Sequence, residues 1–287
     1  MSNKVFSEEE KSMMAGAKTD GFADELLNVQ REGITYGELH HVKYYSATCE
    51  KDRWLNVMLP ANYSDKKEYP VLYILHGIFG DEYSMCGDGK SGVPALIDNL
   101  IATGEASEMI VVYPYMYASK VKEQCDAINI ENVLAYDNFV NELVDDIMPF
   151  MRKNYSIKEG KENTAITGFS MGGRESLAIG LMRPDIFGYV GAIAPAPGLV
   201  PGKDMHMDHP GQFEEKDVVY SEEKPFIIML CAGDCDSVVG KFPLSYHELF
   251  MKNNVEHIFW EVPGSDHGDP AISSGIYNFV KAIFKTK

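Results

Sequence analysis

Gly168-Phe169-Ser170-Met171-Gly172 is the one place where the chain sets a serine between glycines two residues away on either side. The types and spacing suit nucleophilic attack on a carbonyl carbon. A serine on a tight strand-to-helix turn projects its Oγ above a sheet edge. The flanking glycines let the backbone crowd without a Cβ clash. The helix that follows turns its free N–H groups towards developing negative charge. A chance glycine–serine turn is the bland reading, and the apolar TAITGFS (164–170) before the motif and the helical MGGRESLAIGLM (171–182) after it argue against that.

A serine hydroxyl needs a base, and the base needs an orienting carboxylate. On such a turn the acid and then the histidine follow the serine along the chain. His267, in Gly264-Ser265-Asp266-His267-Gly268, comes just after the last apolar strand and fits the base. His40, His41 and His76 precede the serine. His206 and His209 lie in a polar stretch, His247 in a helix, and His257 opens a strand. The acid belongs after PFIIMLCAG (225–233), where Asp234 and Asp236 compete across Cys235, with Asp236 reaching further towards a neighbouring loop. An oxyanion hole needs two backbone N–H donors. Met171 supplies one, and the run His76-Gly77-Ile78-Phe79-Gly80 supplies the other through Ile78 or, failing that, Phe79. His76 reads as a brace for that loop.

The elements that must carry these residues alternate. HVKYYSATC (41–49) and WLNVMLP (54–60) read as strands with Asp52 in the turn between them. VLYILHG (71–77), MIVVYPY (109–115), TAITGFS, YVGAIAPA (189–196), PFIIMLCAG and HIFWEVPG (257–264) read as further strands. Helices are expected over 93–104, 130–152, 171–182, 243–253 and 271–285. Their alternation predicts an α/β fold with a mostly parallel central sheet and helices on both faces. Residues 1–40 read as a lead-in segment and 41–287 as one catalytic domain. The long polar stretch 197–224 breaks the alternation, and loops of that length are often functional.

The 287 residues include 26 basic and 43 acidic side chains, a net charge of −17. Such a surface repels phosphate backbones and anionic membranes, so neither nucleic acid nor a membrane is an expected partner. No apolar run reaches the ~20 residues of a membrane span. The five cysteines, Cys49, Cys86, Cys125, Cys231 and Cys235, are odd in number, and the acidic N-terminus holds no apolar leader core. Both features point to a reducing, cytoplasmic setting. His206 and His209, three apart with Asp208 between them, make a weak metal signal with no further ligand evident, so no metal is expected, and the chemistry requires no cofactor. Met205 and Met207 could form an adaptable apolar wall.

Together His76-Gly77-Ile78-Phe79-Gly80, Gly168 to Gly173, Asp236-Ser237 and Gly264-Ser265-Asp266-His267 resemble the esterase-D-like α/β-hydrolases. They resemble most closely the bacterial carbohydrate esterases that remove feruloyl or acetyl groups from xylan. Tyr44-Tyr45-Ser46, Leu59-Pro60-x-x-Tyr63-Ser64 and Asp98-Asn99-Leu100-Ile101 extend the likeness from about residue 29 to the C-terminus. The resemblance implies a serine esterase with its acid on Asp236 and its oxyanion donors on Ile78 and Met171. Relatives often carry a tryptophan shortly after the H-G-x-x-G loop. Met85 stands there in this chain, so Phe79 and Met85 are the expected substrate contacts. The expected substrate is a hydroxycinnamoyl ester of a plant-wall sugar or oligosaccharide. The rivals are an acetylxylan esterase, an S-formylglutathione hydrolase-like thioesterase, an acyltransferase that passes the acyl group to a sugar, and a non-catalytic carbohydrate-binding protein on the same fold.

Overall fold

Val71–Leu75 is apolar throughout because both of its faces are covered. Odd positions Val71, Tyr73 and Leu75 join one apolar layer with Leu55, Val57, Val112, Tyr136, Phe139 and Leu177. Even positions Leu72 and Ile74 join a second layer with Met58, Val111, Leu96, Leu100, Ile276 and Phe279. That two-residue alternation, read on both sides, is what a sheet between two helical layers demands.

The computed structural model describes residues 25–220 and 222–285. Its main sheet has eight strands: β1 (Glu38–Ser46), β2 (Lys51–Leu59), β3 (Val71–Leu75), β4 (Ile110–Pro114), β5 (Thr164–Gly168), β6 (Tyr189–Ile193), β9 (Ile227–Gly233) and β10 (Ile258–Val262). Their order is β1-β2-β4-β3-β5-β6-β9-β10. β2 runs antiparallel to β1 and β4, and every other pairing is parallel. The expected α/β architecture is what the chain adopts. A short ribbon, β7 (Gly202–Lys203) with β8 (Asp208–His209), stands apart inside the long polar stretch.

The helices are α1 (Val93–Ala102), α2 (Ile130–Asp137), α3 (Phe139–Glu142), α4 (Met148–Asn154), α5 (Met171–Met182), α6 (Phe242–Lys252) and α7 (Ala271–Ala282). Three features differ from expectation. Asp52 lies inside β2, opposite Tyr45, and the turn occupies 47–50 instead. The helix expected over 130–152 is broken by a π turn, Leu143–Ile147, where the N–H of Met148 reaches back five residues to Leu143 O. Pro149, which has no N–H to give, follows at once. β1 begins at Glu38, so a boundary at residue 40 falls within a strand. Residues before it pack on the domain as well: Asn99 donates to Leu27 O and Val29 O, and Asp98 accepts from Gly37 N. The part of the lead-in before residue 25 lies outside the described residues.

No helix among the described residues is long and apolar enough to cross a membrane. All five cysteines are free, and four are buried.

Candidate active site

Ser170 sits at the C-terminal end of β5, directly before α5, with φ 57° and ψ −115°. That left-handed backbone is costly for a residue with a Cβ and is held by its surroundings. Ser170 N donates to Ile193 O, and its carbonyl accepts from Arg174 N and Ala196 N. The flanking glycines are required by contact. A Cβ on Gly172 would lie 2.3 Å from Leu75 O, and one on Gly168 would lie 2.6 Å from the Gly172 backbone.

Three loops at the C-terminal sheet edge bring the expected partners together. His267 Nε2 lies 3.0 Å from Ser170 Oγ, and His267 Nδ1 lies 2.8 Å from Asp236 Oδ2. A carboxylate only accepts, so Nδ1 carries the proton and Nε2 offers its lone pair to the serine hydroxyl. The second Asp236 oxygen accepts from Val238 N at 3.0 Å and Val239 N at 2.9 Å. All three side chains are largely buried. The Phe169 ring packs on the imidazole with centroids 4.5 Å apart. Asp234 does other work: its Oδ1 accepts from Gly264 N at 2.7 Å.

The loop after β3 closes on the serine from the other side. A Cβ on Gly77 would sit 3.4 Å from Ser170 Cβ, so this backbone passes close to the nucleophile. Phe79 N donates to Tyr136 Oη at 3.2 Å, which removes it as an oxyanion donor. The N–H groups of Ile78 and Met171 have no acceptor among the described residues. His76 braces the loop. Its Nε2 accepts Met116 N–H at 3.0 Å, so Nδ1 holds the proton that Gly77 O accepts at 2.6 Å. Burial pushes its pKa down to about 4, so it stays neutral under ordinary conditions.

A family model described as Esterase matches residues 46–243. The chain belongs to the Esterase family. It is a serine hydrolase of carboxylic esters. It is 46% identical to a CE1 ferulic acid esterase from Anaeromyces mucronatus, solved in complex with ferulic acid. That likeness has a TM-score of 0.87 and covers 91% of this chain and 96% of the other. An endo-1,4-beta-xylanase/feruloyl esterase of Xylanibacter ruminicola is 34% identical over 176 residues, 60% of this chain. The chain spans about a quarter of that curated relative, 23% of its length. An S-formylglutathione hydrolase from Staphylococcus aureus shares the fold at 15% identity, with a TM-score of 0.62 over 90% of this chain and 99% of that one.

In this esterase the two expected substrate contacts part company. Phe79 is exposed at the rim, with φ 63°. Met85 is largely buried and belongs to the apolar layer that includes Met58, Cys86 and Leu96. The turns through 81–87 fold it inward, as Ser84 N bonds Asp81 O and Gly87 N bonds Tyr83 O. His206, Asp208 and His209 are also separated in role. His209 is buried against Asp204 at 3.0 Å, and Asp208 faces Lys203. Among the described residues no group of three such side chains could hold a metal.

Sequence reasoning missed Tyr136, which fixes the oxyanion loop from 57 residues away. It also missed Arg174, one turn into α5 and fully buried, whose guanidinium binds Glu175 and Asp137 and reaches Pro197 O at 3.4 Å. The adjacent Arg174-Glu175 charges were visible in the sequence, but their burial was not, nor the contacts with Asp137 at the end of α2 and Pro197 O.

Proposed function

We propose that this esterase removes feruloyl groups from plant-wall carbohydrate esters through an acyl-enzyme. The observation that carries the reading is the 46% identity, over nearly the whole of both chains, with a ferulic acid esterase solved with ferulic acid. The thioesterase reading has only fold likeness at 15% identity behind it.

Ser170 Oγ attacks the ester carbonyl while His267 Nε2 takes its proton. Asp236 keeps the imidazole in its tautomer and stabilises the imidazolium. The N–H groups of Ile78 and Met171, which no protein acceptor uses, receive the oxyanion. His267 then protonates the leaving sugar hydroxyl, and the C–O bond to it breaks. A water molecule, losing its proton to His267, attacks the acyl-serine and releases ferulate with Ser170 restored. The ring of Phe79, exposed at the rim, forms one wall for the aromatic acyl group. Residues 41–287 with the ordered stretch before them act as one catalytic unit.

The test is kcat/KM on methyl ferulate, 4-nitrophenyl acetate and S-formylglutathione. Ferulate should be preferred, and Ser170→Ala should lower kcat by about 10⁴-fold or more on every substrate. Acetate or thioester turnover without ferulate turnover would overturn the acyl assignment. Retained turnover in Ser170→Ala would overturn the nucleophile.

A further inference from the structure

The acid and the base of the reacting set stand on different loops, after β9 and after β10. A third carboxylate joins those loops. Asp266 Oδ1 accepts from Ser237 N at 2.7 Å, Ser237 Oγ at 2.9 Å and His267 N at 2.8 Å. Asp266 Oδ2 accepts Ser237 Oγ at 3.1 Å. Ser237 is the residue after the acid, and His267 is the base itself. One side chain therefore grips the backbone of both partners one bond away from the contact that matters, Asp236 Oδ2 to His267 Nδ1 at 2.8 Å.

We infer that Asp266 is a positioning residue for the ester hydrolysis, clamping the Asp236 loop to the His267 loop so that the imidazole keeps its angle to Ser170. The inference rests on the reading of Ser170, Asp236 and His267 as the reacting set. Other groups at this seam do not duplicate the clamp. Asp234 Oδ1 accepts from Gly264 N, and Cys235 N donates to Ser265 O, which fixes the bases of the two loops but not their tips. Asp236 spends its other oxygen on Val238 N and Val239 N within its own loop. Among the described residues, and apart from the Asp236–His267 bond itself, Asp266 is the side chain that binds both tips. The donors it gathers hold its carboxyl below the usual range, Ser237 N–H first and His267 N–H next.

The chemistry separates charge from shape. Asparagine at 266 keeps an oxygen for the two backbone N–H donors, and its amide can donate to Ser237 Oγ. Alanine removes every contact. The experiment compares Asp266→Asn, Asp266→Ala, Ser237→Ala and the double variant Asp266→Ala/Ser237→Ala in the full chain. Kinetics use 4-nitrophenyl acetate, with active sites counted by stoichiometric labelling with a fluorophosphonate and Tm followed by circular dichroism. Asp266→Ala should lower kcat per labelled site about tenfold or more, since small misplacements of reacting groups are expensive, and leave KM within about twofold. Asp266→Asn should recover most of that loss. The double variant should be little worse than Asp266→Ala, because both changes sever the same link. An unchanged kcat per site in Asp266→Ala would overturn the inference. So would a fall explained wholly by fewer labelled sites, or one that asparagine does not relieve. Ser170→Ala run alongside keeps the two claims apart: if it retains turnover, the reacting set is wrong, whatever Asp266 does.

Discussion

Two buried arginines support the two halves of this site, and they are balanced differently. Arg53, on β2, lies 2.6 Å from Glu142 and gives its other nitrogens to Tyr117 O at 2.9 Å and Tyr115 O at 2.6 Å. Its guanidinium also lies over the Tyr115 ring, 4.9 Å from the centroid, and that ring stacks on His76 under the oxyanion loop. Arg174, on the nucleophile helix, meets two carboxylates, Glu175 and Asp137. Gln212, from the long polar stretch, donates to both Glu175 oxygens at 3.1 Å. One cation faces one anion in the first case and two possible anions in the second. A buried excess of charge is relieved by a proton. Burial pushes Asp137 up to about 7, opposed by Arg174 and assisted by Glu175. Burial raises the Glu142 carboxyl as well, opposed by Arg53, but Asp137 is the group brought to about 7, so the half of the site built on Arg174 is the one that responds to pH near neutrality.

The largest expected effect comes from breaking the balanced centre. Glu142→Gln leaves Arg53 buried with no anion, and removing one partner of a buried pair typically costs about 3–5 kcal/mol. Urea unfolding at pH 7 should show that loss. The oxyanion half should suffer too, because Arg53 positions Tyr115 and, through its ring, His76. Unfolding midpoints within experimental error of the parent enzyme would mean that the two main-chain carbonyls alone satisfy Arg53.

Removing the surplus acid should act in the opposite sense. Below about pH 4 Asp137 is protonated in the folded and the unfolded chain alike. Between about 4 and 7 the unfolded chain releases the proton while the folded chain keeps it, so folding becomes less favourable as pH rises. Above about 7 the folded group ionises as well and the full cost stands. Each unit of displacement corresponds to about 1.4 kcal/mol. Asp137→Asn should therefore be close to the parent at pH 4, gain on it steadily to pH 7, and level off beyond. Urea midpoints taken at each pH unit from 4 to 8 would check this. A constant difference would show that Asp137 holds no excess proton.

The contrast also marks what was legible in the sequence. The inner strands β3, β4, β6 and β9 and the serine turn were readable because each is a local pattern: apolar runs of five to seven residues, and glycines that leave room for Leu75 O. The acid was harder. Asp234 and Asp236 are chemically equal in the sequence, and only the loop geometry gives one to Gly264 and the other to His267. The burial of Met85 was not legible, because the layer it joins is assembled from other elements, Met58 on β2 and Leu96 on α1 among them. Asp52 falls between the two apolar runs in the sequence, yet on the exposed side of β2 it pairs with Lys43 at 2.6 Å. Neither arginine centre was read at all. Glu142 is 89 residues from Arg53, and the pairing is set only in the fold.

The smallest expected effect tests how the long stretch 197–224 is held. Gln212 N and Phe213 N both donate to Leu199 O, so the stretch doubles back on itself. The Gln212 side chain then fastens that bend to Glu175, and Arg174 fastens its start through Pro197 O. Gln212→Ala removes the first tie but leaves Glu175 with Arg174, so global stability should fall by only about 1–2 kcal/mol. The local effect should be larger than the global one. Amide hydrogen exchange across 199–213 should quicken while exchange in β5 and α5 keeps the parent rates, since regions with few anchors open without the core. Equal acceleration in both regions would mean that Gln212 supports the nucleophile helix itself. In that case the pH-responsive half of the site would extend into the loop as one unit.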